Sequence, residues 1–377
     1  MKRKNVYHLL PEYIRASGDL ALKFYKEEIE AAMRTNGLGG FELLSLTDYP
    51  GQCTATVGML DAFFDSKGIT TPEEFSSFAS SVVPLWKSRR IFVKGETLNA
   101  ELALYDYSEE RNGLPASVKN QSARTISELN SASLPRYHEC KADCPVYEIK
   151  IMIGNNVFFE AVTQEPALSI SLDNVNAPAI LKVSVTVNGH TNRWNLFVME
   201  NLKDTPCPEY PVPILRADSD ELQRLIADGG QAIVTAEGLA DTIEGSFEPV
   251  FWSPAFFPSG KTCGMIVDHT HPVFRSFPTE HYTDFQWRKP VIHSKNMDIS
   301  AFPEDFTPIV EPVPNFYDNT RRSPLFEARV GNADLLFCGF DLAREDDTSR
   351  QLKRSILECV SSGNFHPAQT LCESLFE

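Results

Sequence analysis

The stretch that decides the fold reads Gly37-Leu-Gly-Gly-Phe41-Glu-Leu-Leu-Ser-Leu46-Thr-Asp48-Tyr49-Pro50-Gly51-Gln52. Residues 41–46 form a short apolar run bounded by glycines, which is the pattern of a strand buried on both faces. Pro50 and Gly51 then predict a turn, because proline fixes φ and glycine accepts a positive φ. We therefore expect a buried strand that ends at a tight loop.

Asp48 follows the C-terminal end of this predicted strand. In α/β barrels, the loops at that end of the strands carry the substrate contacts. An aspartate before a helix is also a common N-cap, which is a purely structural role. The pattern alone favours neither alternative.

Helical patterns lie on both sides of the strand. Before it, apolar residues recur at three- and four-residue spacing from a start signal at 16–19 to a stop at Gly37. After it, we expect a second helix over about 54–64. A third helix is predicted to begin at Thr71, where Thr-Pro-Glu-Glu is a capping-box pattern with proline at the first helical position. Helix, strand and helix in this order indicate a repeating β/α unit.

Three segments around the strand carry a resemblance to a known family. They read Tyr25-Lys-Glu-Glu-Ile-Glu-Ala-Ala-Met-Arg-Thr35, Gly40-Phe-Glu-Leu-Leu-Ser-Leu-Thr-Asp-Tyr-Pro-Gly-Gln52 and Leu60-Asp-Ala-Phe-Phe-Asp-Ser-Lys-Gly68. They resemble the last units of the catalytic barrel in bacterial glycoside hydrolase family 2, in a β-galactosidase-like branch with extra C-terminal domains. Tyr49 stands where the family pattern has Phe, and Cys53 where it has Gly. The resemblance implies that Asp48, Tyr49 and Gln52 contact a carbohydrate substrate.

The same resemblance bears on catalysis. Retaining glycoside hydrolysis needs two carboxylates about 5–5.5 Å apart. The family pattern places them on the fourth and seventh barrel strands, and makes residues 41–46 the eighth. We therefore expect no catalytic residue in this chain. Asp48 is the only carboxylate placed to meet substrate.

Residues 1–82 can supply only the end of such a barrel, since a complete one takes about 250 residues. A strand that is apolar on both faces cannot stand alone, because its edges carry unpaired backbone groups. Either a partner completes it, an upstream barrel segment or a second copy, or residues 1–82 fold against the rest of the chain. The start at Met1 suggests a truncated or separately encoded piece of a longer enzyme.

Composition and charge exclude several classes of function. A length of 377 residues allows two or three domains, and the net charge of −16 argues against nucleic acid or an anionic membrane as partner. No apolar run follows the basic start, so we expect neither a signal peptide nor a transmembrane helix, and the localisation stays open. The eight cysteines are scattered, which favours free thiols over a zinc site or a disulfide scaffold.

Residues 83–205 show a strand pattern. Alternating runs lie at 90–93, 98–105, 147–153, 168–172 and 181–187. Asn188-Gly189 is a strong hairpin signal before the run at 194–198. Short strands separated by polar turns predict an immunoglobulin-like β-sandwich. Trp194 could stack on a sugar, although a core tryptophan is the commoner role.

A proline-rich linker over 205–213 separates this region from a C-terminal domain, residues 206–377. There, apolar runs at 214–217, 231–235, 264–267 and 333–340 alternate with helical patterns and predict a mostly parallel α/β sheet. His271-Pro272, Phe277-Pro-Thr-Glu280, Gln286-Trp287 and Leu325-Phe-Glu-Ala-Arg-Val-Gly331 resemble the glutamine-amidotransferase-like domain that ends the same family branch.

Amidotransferase chemistry needs a cysteine on a sharp strand-to-helix turn, activated by a histidine. Cys263 lies before its predicted strand, and Cys338 lies inside one. No glycine-flanked turn surrounds either residue. We expect this domain to be non-catalytic.

Two polar groups in the C-terminal domain could bind ligands. Asp268, His269 and His271 follow a strand, but short histidine pairs often mislead, and we expect a polar loop, no metal and no cofactor. A possible second pocket would use polar groups beside a tryptophan, an arrangement that suits sugars, although buried structural hydrogen bonds explain it equally well. Its residues are His271, His281, Gln286, Trp287 and Arg322.

Two functions from different classes follow. The first is the C-terminal part of a family 2-like exo-glycosidase, inactive alone because the catalytic pair lies elsewhere. The second is a non-catalytic module that binds carbohydrate or mediates assembly. The predicted fold class is multidomain α/β plus β: a partial (β/α)8-barrel end over 1–82, an immunoglobulin-like sandwich over 83–205 and an amidotransferase-like α/β domain over 206–377.

Overall fold

A computed structural model of the chain describes residues 6–35, 38, 40–44, 46–49, 57–107, 144–203, 210–239, 241–249, 262–314 and 319–373. Over these residues the protein is mixed α/β, with mostly sheet content distributed over several sheets. No helix in these ranges has the length and apolarity needed to cross a lipid bilayer.

Helix α1 (Leu10–Arg34) begins earlier than the predicted start at 16–19. Pro11 lies in the first turn, where the missing N–H has no helical partner to lose. The helix ends at Thr35, whose backbone is extended. The buried side chains recur at helical spacing and form one long stripe. They include Tyr13, Ala16, Leu20, Ile29 and Met33.

The segment after α1 differs from the prediction. Residues 41–44 and 46 form no strand, and Thr47 and Leu60 make only an isolated bridge. Residues 57–64 of the predicted second helix are not helical, and residues 54–56 lie outside the described ranges. A strand apolar on both faces needs a neighbouring strand, and the described part of the chain places none beside residues 41–46. The strand prediction is therefore wrong for this chain as it stands.

Helix α2 (Pro72–Ser76) confirms the third helix prediction. The Thr71 side chain accepts a hydrogen bond from the backbone N–H of Glu74 at 3.1 Å, which is the N-cap half of a capping box, whereas Glu74 Oε2 accepts from Thr70 Oγ1 at 3.1 Å.

Eight strands form a two-layer sandwich. They are β1 (Val82–Lys87), β2 (Ile91–Val93), β3 (Thr97–Asp106), β4 (Tyr147–Ile153), β5 (Asn156–Thr163), β6 (Ala167–Ser171), β7 (Ala179–Val187) and β8 (His190–Met199). One sheet has the order β1-β3-β6 and the other β2-β8-β7-β4-β5. Side chains from both sheets, including Trp86, Leu98, Val183 and Trp194, share one core.

The β7–β8 hairpin confirms the signal at Asn188-Gly189. Val187 pairs with His190, and both turn residues have positive φ, 51° and 82°. Positive φ at both central residues is the geometry of a type I′ turn, which asparagine and glycine adopt most readily.

The C-terminal region carries the remaining elements. They are β9 (Ile214–Arg216), α3 (Asp220–Asp228), β10 (Gly230–Thr235), β11 (Thr242–Glu244), β12 (Thr262–Val267), α4 (Arg288–Val291), β13 (Lys295–Asp298), β14 (Val310–Pro314), β15 (Arg322–Ser323), β16 (Leu325–Val330), β17 (Ala333–Cys338), α5 (Asp347–Val360) and β18 (Thr370–Leu371). Short 3-10 turns, among them Pro272–Phe274 and Phe285–Trp287, join them. Strands β11, β13 and β15 form a small separate sheet.

The main C-terminal sheet is mixed, so the prediction of a mostly parallel sheet is wrong. Its order is β12-β14-β16-β17-β10-β9, with β18 beside β16. The pairs of β10 with β9 and β17 are parallel, as is the β16–β18 pair, whereas β12, β14, β16 and β17 run antiparallel in turn. Gly331 and Asn332 join β16 to β17, and a two-residue connection permits only antiparallel strands. Helices α3 and α5 cover opposite faces.

The N-terminal half of α1 packs on β12. Val6, Tyr13 and Ala16 share a buried cluster with Cys263 and Val313. Gly264 has φ +74°, and a Cβ built there would lie 2.5 Å from the carbonyl oxygen of Ala16. The helix therefore approaches the strand backbone more closely than any side chain at position 264 allows.

Gly264→Ala should destabilise the chain more than Gly154→Ala. Both positions have positive φ, so both variants carry a backbone cost of about 1 kcal/mol, but nothing lies within 4 Å of a Cβ at Gly154. The clash with α1 adds about 1–3 kcal/mol at Gly264. Urea unfolding of both variants measures the difference in free energy of unfolding. Equal decreases would show that α1 does not pack closely on β12 at Gly264.

The C-terminal half of α1 packs on the sandwich around the fully buried Glu30. Its carboxylate accepts hydrogen bonds from Asn192 Nδ2 at 2.8 Å and Trp194 Nε1 at 2.9 Å, and pairs with Lys26 and Arg34 on its own helix. The Lys26 ammonium lies 4.5 Å from the Trp194 ring centroid. Burial lowers the pKa of Lys26 to about 8, although the Glu30 charge opposes that shift.

Glu30→Gln should lower the free energy of unfolding by about 3 kcal/mol, because it leaves two cations facing a buried neutral amide. Glu28→Gln is the matched control: Glu28 is exposed on the same helix, and its change should stay within about 0.5 kcal/mol. Denaturant melts of the two variants give both values. Similar small losses would mean that the buried carboxylate does not hold the helix to the sandwich.

These contacts show where the N-terminal helix packs. Residues 6–35 fold against the sandwich and the C-terminal region of their own chain. The boundaries near 82 and 205 remain predictions; most of the linker lies outside the described residues.

Candidate functional site

Asp48 lies in the loop that follows α1. Its Oδ1 accepts hydrogen bonds from the Gly58 backbone N–H and from Lys67 Nζ, both at 2.9 Å. Lys67 also donates to the Gly58 carbonyl oxygen at 2.9 Å. Both charged side chains are less than a fifth exposed. The ion pair therefore connects Asp48, Gly58 and Lys67 within the loop.

The structure gives less information about Tyr49 and Gln52, the other two residues of the predicted substrate group. Tyr49 is 52% exposed, and Gln52 lies outside the described residues. The N-cap alternative for Asp48 depends on residues 50–56, which also lie outside them. The substrate role of the three residues stays a prediction.

Asp48→Asn should loosen the loop without unfolding the chain. It replaces a charge-assisted bond to Lys67 by a neutral one, so amide hydrogen exchange at Gly58 should quicken about tenfold. Asp65→Asn is the control, since Asp65 is exposed and, among the described residues, contacts the loop through its backbone N–H and carbonyl oxygen. If the two variants exchange alike at Gly58, the Asp48–Lys67 pair does not hold the loop.

The same loop exposes an unusual amount of apolar side chain. Seven of the large hydrophobic residues that are exposed in the described part of the chain lie between 38 and 64: Leu38, Phe41, Leu44, Leu46, Tyr49, Phe63 and Phe64. Leu44 is 79% exposed and Phe63 84%. We call these seven residues the apolar segment. Concentrated apolar exposure of this kind marks interaction surfaces more often than ordinary surface.

The residues of the possible second pocket lie in different surroundings. Trp287 and Gln286 are fully buried; Trp287 Nε1 donates to Thr279 Oγ1 at 2.9 Å and Gln286 Nε2 to the Pro278 carbonyl at 3.1 Å. Trp287 packs among Phe274, Phe277 and Phe340 as a core residue. These positions are closed to a ligand in this conformation.

The two histidines of that group line different cavities, of about 440 and 630 Å³. His271 Nδ1 accepts from the Val273 N–H at 3.2 Å, and its Nε2 lies 3.3 Å from Glu327. His281 contacts the Val267 carbonyl oxygen and Glu12 instead. Arg322 Nη1 lies 3.2 Å from Asp241 Oδ1 on the small sheet. The two histidines thus face different cavities, and a shared pocket stays a prediction.

The cysteines that sequence analysis weighed as nucleophiles are buried in strands. Cys263 lies in β12, and Cys338 ends β17. Burial raises the pKa of Cys263 well above its usual range and that of Cys338 to about 12. Both side chains are therefore neutral thiols at neutral pH, which disfavours nucleophilic chemistry.

Side chains of the polar loop at 268–271 make contacts with nearby residues. Asp268 Oδ1 accepts from Thr270 Oγ1 at 2.7 Å, and the His269 ring packs edge-on against His281. Within the described ranges, no three His, Cys, Asp or Glu side chains are arranged to hold a metal ion.

Sequence reasoning missed the partners of the key polar residues. Lys67 binds Asp48 across 19 residues, and Glu30 binds Asn192 and Trp194 across more than 160. A partial signal existed for Glu30, because the spacing of Lys26, Glu30 and Arg34 predicts i,i+4 pairs. No local pattern could identify the contacts across the fold.

The structure defines a mixed α/β protein with several sheets. A family profile described as a domain of unknown function (DUF8487) matches residues 214–377, from the first residue of β9 to the end of the chain. This range is less than half of the chain, and its description names no activity. A search of curated proteins finds no match.

Proposed function

We propose that this chain is the non-catalytic C-terminal part of a glycoside hydrolase related to family 2. In this proposal, the apolar segment docks onto a barrel that lacks its last unit and completes it. The sandwich would then be an immunoglobulin-like accessory domain, and the C-terminal region an amidotransferase-like one without amidotransferase activity.

The observation that carries the proposal is the exposure of the apolar segment. Residues 41–46 have the composition of a strand buried on both faces, yet Leu44 and Leu46 are 79% and 53% exposed. Such a sequence is stable in water only when neighbouring strands cover it, and burying each leucine gains about 1.5–3 kcal/mol. The segment that resembles the last barrel strand is thus the one that most needs a partner.

The contacts of Asp48 fit a substrate role in the completed barrel. Its Oδ1 already binds Gly58 and Lys67, whereas no group in the described ranges donates a hydrogen bond to Oδ2. The hydrogen bond from Lys67 Nζ holds the carboxylate in a fixed orientation. Oδ2 could therefore accept a bond from a sugar hydroxyl while Oδ1 stays bound to the loop.

Assembly between copies of this chain is the second candidate. The apolar segment also favours it, because exposed apolar side chains can cover one another in a dimer. The two candidates differ in outcome: the first gives glycosidase activity with a barrel partner, and the second gives a dimer without one.

Complementation tests the proposal. The chain is co-expressed with a family 2 barrel truncated before its eighth strand, and hydrolysis of nitrophenyl galactoside is measured. We expect activity from the pair and none from either part. Leu44→Asp should weaken the complex at least about 100-fold, because it buries an unpaired charge in the interface. Val162→Asp, at a position 70% exposed on the sandwich, should have no effect.

Each alternative outcome has a clear meaning. Equal loss from both variants would show a general effect of added charge. A concentration-dependent dimer that Leu44→Asp abolishes, together with no activity for the co-expressed pair, would favour self-assembly and contradict the glycosidase proposal.

A further inference from the structure

A cavity of about 630 Å³ lies between the start of α1 and the mixed sheet of the C-terminal region. Its volume is within the range of small-ligand sites. Part of its wall is apolar, formed by Leu9, Ile266, Phe306 and Pro308. We call it the Arg321 cavity after the residue that lines its inner end.

Arg321 is 93% buried by the fold, with 7% of its surface exposed. Its Nε and Nη2 bind Glu311 at 3.0 and 2.8 Å, and Nη2 also donates to the Phe306 carbonyl oxygen at 3.1 Å. Glu311 in turn accepts from Tyr13 OH at 2.5 Å. No acceptor in the described ranges binds Arg321 Nη1. A buried guanidinium thus keeps one donor nitrogen unused at a cavity wall.

The charge of this inner end is close to zero. The Glu311 carboxylate neutralises the Arg321 guanidinium through two parallel hydrogen bonds. The end therefore offers a directed donor without a net positive field. A neutral acceptor such as a hydroxyl gains from such a donor, whereas an anion gains little and is repelled by Glu311.

The other polar groups of the cavity are mostly acidic. Glu12, Glu304 and Asp305 line it, together with His8 and His281. Glu12 accepts from Tyr282 OH at 2.9 Å and lies 3.5 Å from His281 Nε2. These three carboxylates accept hydrogen bonds and disfavour anions. The ligand must therefore donate hydrogen bonds as well as accept them.

We propose that the Arg321 cavity binds a neutral carbohydrate, a mono- or disaccharide. Sugar hydroxyls both donate and accept, so one can accept from Arg321 Nη1 while others donate to Glu12 or Asp305. The C–H faces of the ring meet the apolar wall. An anion is disfavoured by the carboxylates, and a simple cation has no acceptor atom to offer Arg321 Nη1.

The choice of carbohydrate over other neutral polyols rests on the proposed function. The site itself is separate from the apolar segment and uses residues of α1 and the C-terminal region. Binding by the isolated chain therefore tests it without any barrel partner, and its failure leaves the complementation result untouched.

The test is an NMR titration of the isolated chain with galactose, glucose, mannose and lactose, with free lysine and acetate as cationic and anionic probes. We expect at least one sugar to bind saturably, with Kd on the order of 1 mM. Arg321→Lys removes the Nη1 donor and should weaken binding about tenfold or more. Its melting curve shows whether it folds.

Thr307→Trp tests the site independently of the buried pair. Thr307 is exposed and lines the cavity, so a tryptophan there fills the space and should abolish binding. Gln223→Trp, on the exposed face of α3, should bind like the unchanged chain. The proposal is overturned if no sugar saturates, if Thr307→Trp binds as well as Gln223→Trp, or if only lysine or acetate competes for the cavity.

Discussion

The arrangement of this chain depends on the hydrogen bonds and ion pairs of the buried Glu30 carboxylate. It is fully buried, and four donors from α1 and β8 surround it, so no partner can be removed without leaving a desolvated charge. Near its N-terminal end, the same helix places Tyr13 against Glu311 and Arg321. A single helix thus carries a buried polar contact to the sandwich and another to the C-terminal region.

Further contacts strengthen this arrangement around the middle of α1. Lys23 Nζ binds the Thr283 carbonyl oxygen at 2.8 Å, and Asp284 accepts from Asn195 of β8 at 3.2 Å. The two folded regions also meet directly, where Arg354 of α5 pairs with Glu200 at 2.7 Å. The partners are separated by up to 298 residues in sequence. Contacts of such range cost loop-closure entropy, which their packing must offset.

The position of α1 also explains the loop that follows it. The helix ends at Arg34 beside the sandwich, where Arg34 Nη1 lies 3.3 Å from the Trp86 carbonyl oxygen. The chain then enters the apolar segment, which the Asp48–Lys67 pair shapes locally but nothing in the described ranges covers. The helix has buried its stripe within this chain, whereas the predicted strand has not. This contrast is the physical basis for expecting a partner at the loop and none at the helix.

The sequence predicted the features that depend on local signals. The N-cap at Thr71, the Asn188-Gly189 hairpin and the alternating runs of β4 and β7 all have the predicted structure. Each depends on residues within a few positions of one another. Periodicity and turn chemistry are sufficient at that range.

The predictions that failed required knowledge of neighbours. Residues 41–46 have strand composition, but a strand needs adjacent strands, which composition does not supply. The C-terminal runs alternate with helices, yet the turn at Gly331 and Asn332 makes β16 and β17 antiparallel. The surroundings of the candidate sites therefore emerged from the fold, although the sequence had singled out Asp48 and His281 beforehand.

The central claim is that α1 joins the sandwich and the C-terminal region into one cooperative unit. Differential scanning calorimetry of the whole chain tests it most directly. One transition, with a calorimetric enthalpy close to the van't Hoff enthalpy, is the expected result. Two resolved transitions, one for each region, would contradict the claim and show that the contacts of Glu30 and Tyr13 do not couple them.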